Sequence, residues 1–208
     1  MFMGCTNMSG TTKTFYINSN PYTSDTIYAN SFGEDCFYEM FYNCTAFNGE
    51  SVLNIIGVKK DNTESSIGSH ACYHMYSNSG LTTMPCIKVY NLSTRALESS
   101  FVNCNNLNTV PAKSGIYATN AGDYAMYQAF KGNTSLSTMP AISVVNLGAY
   151  ACAEMFMNTN IQTIGTSMIA VQKVNNYTFY SMFENCQNLV TLENSILPGG
   201  YINYKQVE

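Results

Sequence analysis

Ala151-Cys152-Ala153-Glu154-Met155-Phe156-Met157-Asn158 is the stretch on which the fold depends, because variants of it recur six times along the chain. If it is a helix, Cys152, Met155 and Phe156 fall at i, i+3 and i+4 and share one apolar face. Asn158 then lies where a residue with positive φ can end the helix. The stretch therefore predicts a short helix with one buried face.

Phe156 marks a repeated position, which we call the anchor. The anchors are Phe2, Phe41, Tyr76, Phe101, Phe130, Phe156 and Phe183. Their spacings are 39, 35, 25, 29, 26 and 27 residues, and the first two intervals carry insertions. A period of about 25 to 30 residues indicates a solenoid, in which a unit buries its apolar faces only against its neighbours.

The residues around the anchors repeat as well. Two residues after the anchor only Gly and Asn occur, and both tolerate positive φ, as a helix stop requires. Short apolar phrases such as Leu81-Thr82-Thr83-Met84-Pro85 follow, and a proline closes three of them. Each phrase predicts a short strand that ends at its proline. The predicted unit is a strand, a connecting loop, a helix of two to three turns and an Asn or Gly stop.

These repeats predict an α/β solenoid, a leucine-rich-repeat-like right-handed array of about six strand–loop–short-helix units with parallel strands and modified ends. A single repeat domain is predicted over residues 1–208. It comprises an N-terminal partial repeat and cap over 1–35, repeats over 36–195 and a C-terminal cap over 196–208. Three further short strands are predicted from local patterns, around Phe15 and Ile17, over Val52 to Ile56 and over Tyr201 to Tyr204. A polar turn at 59–63 predicts a hairpin-like bulge.

Two of the repeated phrases carry a resemblance to a known family. Met182-Phe183-Glu184-Asn185-Cys186-Gln187-Asn188-Leu189 and Ser100-Phe101-Val102-Asn103-Cys104-Asn105-Asn106-Leu107 resemble the leucine-rich repeats of the BspA-like (Treponema-type) class and the short Met-Phe repeats of bacterial surface lipoproteins. The resemblance covers roughly residues 36–195. It implies an extracellular or surface protein that binds other proteins or cell surfaces, of a kind found in gut bacteria and their phages. Two features depart from the pattern. Thr-x-Pro often replaces the second strand leucine, and no lipoprotein cysteine follows a signal sequence.

The low charge of the chain excludes several classes of function. Charged residues make up 11% of the sequence and the net charge is −4, against roughly 25% charged residues in an average domain. The nine basic residues are scattered, so we expect no nucleic-acid binding through phosphate contacts. No apolar run reaches the roughly 18 residues of a membrane span, and no signal peptide is visible in this sequence.

The eight cysteines share repeat positions, which argues against disulfide bonds. Cys5, Cys44, Cys104 and Cys186 occupy one position, where other units carry Ser, Asn or Thr. Stacked neighbours at one position run parallel and do not face each other as a disulfide requires. The pattern predicts buried free thiols, and one or two bridges that involve Cys36 or Cys86 are the alternative.

No catalytic or metal site is predicted. His70 and His74 lie at i, i+4, but no third metal ligand is evident, and Cys72 falls on the predicted core face beside His74. The glutamates of the repeats have scattered phases, and no phosphate-binding glycine loop occurs. We therefore expect no enzyme and no cofactor.

Four tyrosines share the position three residues before the anchor, and they are the candidate binding residues: Tyr38, Tyr73, Tyr127 and Tyr180. Either their rings cover the helix layer with the hydroxyls in water, or they form an aromatic stripe that stacks on sugars or docks a partner.

The expected function is a non-enzymatic binding or recognition module of a cell-surface or virion protein. Its solenoid surface would attach to a protein or a cell-surface glycan. The alternative is a structural virion assembly component, a decoration or tail-fibre part in a defined oligomer. In that case the open N-terminal end at Phe2 would pack on another subunit.

Overall fold

The computed structural model of the chain describes residues 26–29, 31–47, 53–57, 65–164 and 171–192. These residues form stacked coils, and each coil contributes a rung to one main parallel sheet and a ten-residue turn segment beside it. The solenoid of parallel strands predicted from the repeat period is therefore confirmed. The predicted strands around Phe15 and Tyr201 and the polar turn at 59–63 lie outside the described residues.

All strand pairs are parallel. The strands of the described residues are β1 (Thr26–Ala29), β2 (Ser31–Phe32), β3 (Asn54–Gly57), β4 (Ser66–Ile67), β5 (Cys86–Lys88), β6 (Asn91–Leu92), β7 (Gly115–Ala121), β8 (Ala141–Leu147), β9 (Thr163–Ile164) and β10 (Thr191–Leu192). The strand predicted over Val52 to Ile56 is present as β3.

The main sheet consists of two ladders that merge at β7. One ladder stacks β1, β3, β5 and the first half of β7, and the other stacks β2, β4, β6 and the second half. β8 pairs along the length of β7. Alternate residues such as Ile116 and Ile142 are buried, because successive side chains of a strand point to opposite faces.

The positions of the strands differ from the prediction. Strands lie in segments predicted to be connecting loops: β5 follows Pro85, and β8, one of the two longest strands, follows Pro140. The Leu-x-x-Met phrases form only a narrow strip of single bridges, such as Thr83 to Thr109, which the short pair β9–β10 continues. A proline without an N–H fits the start of a strand as well as its end.

The predicted short helices do not occur among the described residues. Ten-residue turn segments stand in their place, over 34–43, 69–78, 94–103, 123–132, 149–158 and 176–185. In the fifth segment the N–H of Met155 donates to the carbonyl of Cys152 at 3.2 Å, an i→i−3 bond. The next N–H, of Phe156, donates to the carbonyl of Met182 in the following segment at 2.9 Å. Alternate N–H groups therefore close turns within a segment and join neighbouring segments.

This alternation gives the backbone polar groups of the inner segments a partner. A helix would use every N–H within itself, whereas here half of them hold adjacent coils together. The geometry needs positive φ at every fourth residue, as at Tyr150 (54°), Glu154 (52°) and Asn158 (60°). Positive φ at the Asn and Gly position is thus confirmed, but it is the third such residue of a turn segment and not the end of a helix.

The anchor side chains form a continuous aromatic stack inside the solenoid. Ring centroids along Phe41, Tyr76, Phe101, Phe130, Phe156 and Phe183 are 5.0 to 5.6 Å apart, and the rings are within 16° of parallel. Phe101, Phe130 and Phe156 have no exposed surface. Stacked rings with apolar residues on both sides make this column the centre of the core.

The cysteines of the described residues are free thiols, as predicted. Cys72, Cys104 and Cys152 are fully buried, and burial raises the pKa of Cys104 to about 12. Its thiol donates to the carbonyl of Tyr76 at 3.0 Å. Cys36 and Cys86, the candidates for a bridge, are also unpaired.

Candidate binding surfaces

The four predicted tyrosines do not form one stripe. Tyr38 and Tyr73 stack on each other in the first two turn segments, with ring centroids 5.0 Å apart. Tyr127 and Tyr180 belong to the fourth and sixth segments. Glu98 and Ala153 occupy the same position in the segments between, and they interrupt the aromatic column.

A second tyrosine column lies beside the first. Tyr124, Tyr150 and Tyr177 stack in order, with centroids 5.0 and 5.1 Å apart and rings within 15° of parallel. Tyr127 meets Tyr124 edge-on at 5.7 Å, and Tyr180 meets Tyr177 edge-on at 6.3 Å. These five residues form what we call the tyrosine patch.

The patch is exposed at its C-terminal side. Tyr177 is 63% and Tyr180 is 51% exposed, whereas Tyr124, Tyr127 and Tyr150 are partly covered. The residues of the second column all precede their anchors by six positions and have φ between 54° and 57°. That common spacing was available in the sequence and would have identified the column.

Paired charges border the patch. The Arg95 guanidinium lies 4.5 Å from the centroid of Tyr124, a cation–π contact, and it also bonds Glu98 at 2.7 Å. Both charges are therefore satisfied within the protein, which leaves the tyrosine rings as the main contact groups.

Glu154 connects the fourth and fifth turn segments beneath the patch. Its carboxylate accepts hydrogen bonds from Lys131 at 2.7 Å, Gln128 at 2.9 Å and Tyr127 at 3.2 Å. Burial alone would raise the pKa of Glu154, but these three donors outweigh it and hold the pKa below its ordinary value. Burial and the Glu154 carboxylate raise the pKa of Tyr127 to about 12. The network fixes Tyr127 by its hydroxyl.

The two histidines lie near the other end of the turn layer. His74 packs edge-on against Tyr73 at 4.3 Å, and its Nδ1 lies 2.9 Å from Ser77 Oγ. The Ser77 hydroxyl donates to the carbonyl of Ser99, so Nδ1 is the donor to Ser77. Burial lowers the pKa of His74. Ser77 and Cys72 are fully buried and present no nucleophile to a substrate.

Within the described residues, no three histidine, cysteine or acidic side chains lie close enough to hold a metal ion. The same part of the chain contains no helix of the length and apolarity needed to cross a membrane.

A shallow depression of about 340 Å³ lies on the outer face of the main sheet. Its lining includes Lys88, Tyr90, Tyr117, Thr119 and Ser143. Sequence reasoning missed it, because β5 and β8 were predicted to be connecting loops. The alternation of Ile142 and Val144 with polar residues was the available signal.

Comparison with protein-family models, with curated proteins and with solved structures found no match to this chain.

Proposed function

We propose that the chain is a non-enzymatic recognition module of a cell-surface or virion protein that binds a protein partner through the tyrosine patch. The observation that supports it is the contiguous cluster of five tyrosines from three turn segments, with Tyr177 and Tyr180 more than half exposed. Exposed tyrosines supply rigid, amphipathic contact area at a low entropic cost, and they are enriched at interaction hot spots.

The stacked column prepares the patch for binding. Tyr150 lies between Tyr124 and Tyr177, and Tyr127 is bonded to Glu154, so these rings lose little freedom when a partner covers them. Arg95 and Lys131 are already paired with Glu98 and Glu154. Binding would therefore depend on apolar contact and tyrosine hydrogen bonds, and only weakly on salt.

The resemblance to BspA-like repeats favours the same role and a surface location. We propose further that the coils form a right-handed, leucine-rich-repeat-like array of about six units. We also propose that the protein catalyses no reaction, binds no nucleic acid and does not span a membrane.

Binding of the labelled chain to a panel of intact bacterial cells tests the proposal. We expect binding to be lost when the cells are treated with a protease and to survive periodate oxidation of their glycans. The double variant Tyr177→Ser/Tyr180→Ser should bind at least about tenfold more weakly, since two hot-spot rings are removed. Tyr38→Ser, at the far end of the same layer, is the matched control and should bind as the parent does. Equal binding of the double variant and the parent would contradict the proposal.

A structural role in an ordered assembly is the second candidate, favoured by the polarity of the turn layer. Inner turn segments donate N–H groups to the following segment and accept from the preceding one. Within the described residues, the N–H groups of Tyr177, Ser181 and Phe183 in the last segment have no acceptor. The carbonyls of Cys36 and Tyr38 in the first segment likewise have no donor there.

Donors at one end and acceptors at the other would let copies stack head to tail, as exposed sheet edges do. Light scattering with intact mass spectrometry tests this role. A fixed oligomer or a growing stack supports assembly, whereas a stable monomer of 23.0 kDa contradicts it.

A further inference from the structure

Three side chains lie side by side on the outer face of the main sheet. Lys88 of β5, Tyr117 of β7 and Ser143 of β8 are in register, on strands about 4.8 Å apart. Their sequence neighbours Ile87, Ile116 and Ile142 point into the core, so the three face outward. This row lines the depression together with Tyr90 and Thr119.

The backbone of the depression is held in place by hydrogen bonds. Tyr90 lies in the break between β5 and β6, and its carbonyl accepts from the N–H groups of Thr119 and Asn120 at 2.9 and 3.0 Å. The Tyr117 hydroxyl donates to the carbonyl of Ser114 at 3.3 Å. Because Ser114 lies three residues back along the chain, this bond holds the ring along its own strand.

Several polar groups of the depression have no partner within the described part of the chain. Lys88 is exposed and makes no ion pair there, and the hydroxyls of Thr119 and Ser143 make no hydrogen bond. The neighbouring Asn91, Asn120 and Asn146, by contrast, bond one another at 2.7 and 2.8 Å. Polar groups that converge unpaired on a concave site beside aromatic rings are typical of a ligand site.

We propose that this depression binds one carboxylated sugar residue of the uronate class. A volume of about 340 Å³ is near the lower limit for small-ligand sites and suits a single pyranose. The ring of Tyr117 offers an apolar platform to the C–H face of the sugar. Thr119 and Ser143 can each donate to and accept from sugar hydroxyls.

The charge of the site selects the acidic sugar. Among the described residues of the lining, Lys88 is the single charged side chain, and a charge-assisted hydrogen bond to a carboxylate matches its one positive charge. A neutral hexose would leave the ammonium unused, and a phosphate would bring nearly two negative charges against one cation. The site is on the sheet and not on the tyrosine patch, so it is independent of the protein-binding proposal.

Calorimetry with two probes tests the inference on the full chain. Methyl β-glucuronide and methyl β-glucoside differ only in having a carboxylate or a CH2OH group at C6. We expect the glucuronide to bind at least about tenfold more tightly, and the preference to weaken as salt is added. Lys88→Gln should abolish the preference, whereas Lys113→Gln, at an exposed lysine away from the depression, should leave it unchanged.

Tyrosine variants separate binding from folding. Tyr117→Phe keeps the ring and should retain most of the affinity, whereas Tyr117→Ala should lose both probes. A urea-unfolding curve for each variant shows whether the fold is intact. Equal binding of the two probes, a preference that survives in Lys88→Gln, or no binding of the glucuronide by the folded parent chain would each overturn the inference.

Discussion

Asn133 has a buried side chain without hydrogen bonds in the part of the chain that the structure describes. Its side chain is fully buried, and neither the amide nitrogen nor the amide oxygen has a hydrogen-bond partner within the described residues. At the same repeat position, Thr159 Oγ1 donates to the carbonyl of Phe156 at 2.8 Å, and the thiol of Cys186 reaches that carbonyl at 3.0 Å. A smaller side chain with one donor thus suits this position.

Asn133→Thr should therefore stabilise the protein by about 1 to 2 kcal/mol, because it removes two unsatisfied buried polar atoms. Urea unfolding measures the change. Asn103→Thr is the matched control. Asn103 is exposed, has φ of 55° and donates to Asn78, so its replacement should destabilise the chain. An Asn133→Thr protein no more stable than the parent would show that the amide is satisfied.

The Glu154 network should make stability depend on pH. The pKa of Glu154 is lower in the folded chain than its ordinary value, which is about 4.3. Its bonds therefore add stability above that pH, and the contribution is lost as the pH falls through the folded pKa.

We expect Lys131→Met to cost about 0.5 to 1 kcal/mol near pH 7 and less at an acid pH low enough to protonate Glu154 in the folded chain. Unfolding curves at the two pH values measure the difference. Lys113→Met, at an exposed lysine without an ion pair in the described residues, should show no such difference. An equal loss for Lys131→Met at both pH values would rule out a role for the Glu154 charge.

At the scale of one element, the turn segment explains why the sequence predicted a helix. Positive φ recurs every four residues, so Cys152, Met155 and Phe156 share one inner face at the i, i+3 and i+4 spacing of a helix. Hydrophobic periodicity cannot separate the two structures. The distinguishing property is the alternate use of N–H groups between coils, which depends on tertiary contacts. At residues other than glycine, such as Glu154, the local sequence does not indicate that φ is positive.

The substitution Ser181→Gly distinguishes the turn segment from a helix, because the two structures predict stability changes of opposite sign. Its φ is 49°, so Ser181→Gly relieves backbone strain and should stabilise the protein by about 0.5 to 1 kcal/mol. In a helix the same change would destabilise by a similar amount. Glu184→Gly, at a position of the same segment without positive φ, is the control and should lower stability. A loss of stability in both variants would favour the helix.

For the whole molecule, the sequence predicts stacked coils with parallel strands, the length of the repeat and the buried column of anchor side chains. All three follow from the repeated anchors. The sequence singles out two residues of the patch, Tyr127 and Tyr180, and misses the column of Tyr124, Tyr150 and Tyr177. A helix would also place residues three apart, such as Tyr124 and Tyr127, side by side, so the available signal was the repeat of tyrosine six residues before the anchors. The sequence misses the depression because the row of Lys88, Tyr117 and Ser143 exists only once three strands are in register.

We expect the anchor stack to supply much of the stability of the solenoid, as the sum of contacts between neighbouring anchor rings. Phe101→Ala, Phe130→Ala and Phe156→Ala each remove a fully buried ring that stacks on two others, and each should cost about 3 to 5 kcal/mol. Phe183 stacks on one described anchor and is only partly buried, so Phe183→Ala should cost less.

Tyr127→Ala, which removes a half-buried ring and two hydrogen bonds of its hydroxyl, should cost less than the alanine variant of any of the three inner anchors. Urea unfolding gives the five losses of stability, and hydrogen exchange shows which coils open first. In an array held by neighbour contacts, Phe130→Ala should loosen the coils on both sides, whereas Phe183→Ala should loosen chiefly the last described coil. Equal losses at Tyr127 and at the inner anchors would mean that the turn layer, and not the aromatic column, holds the coils together.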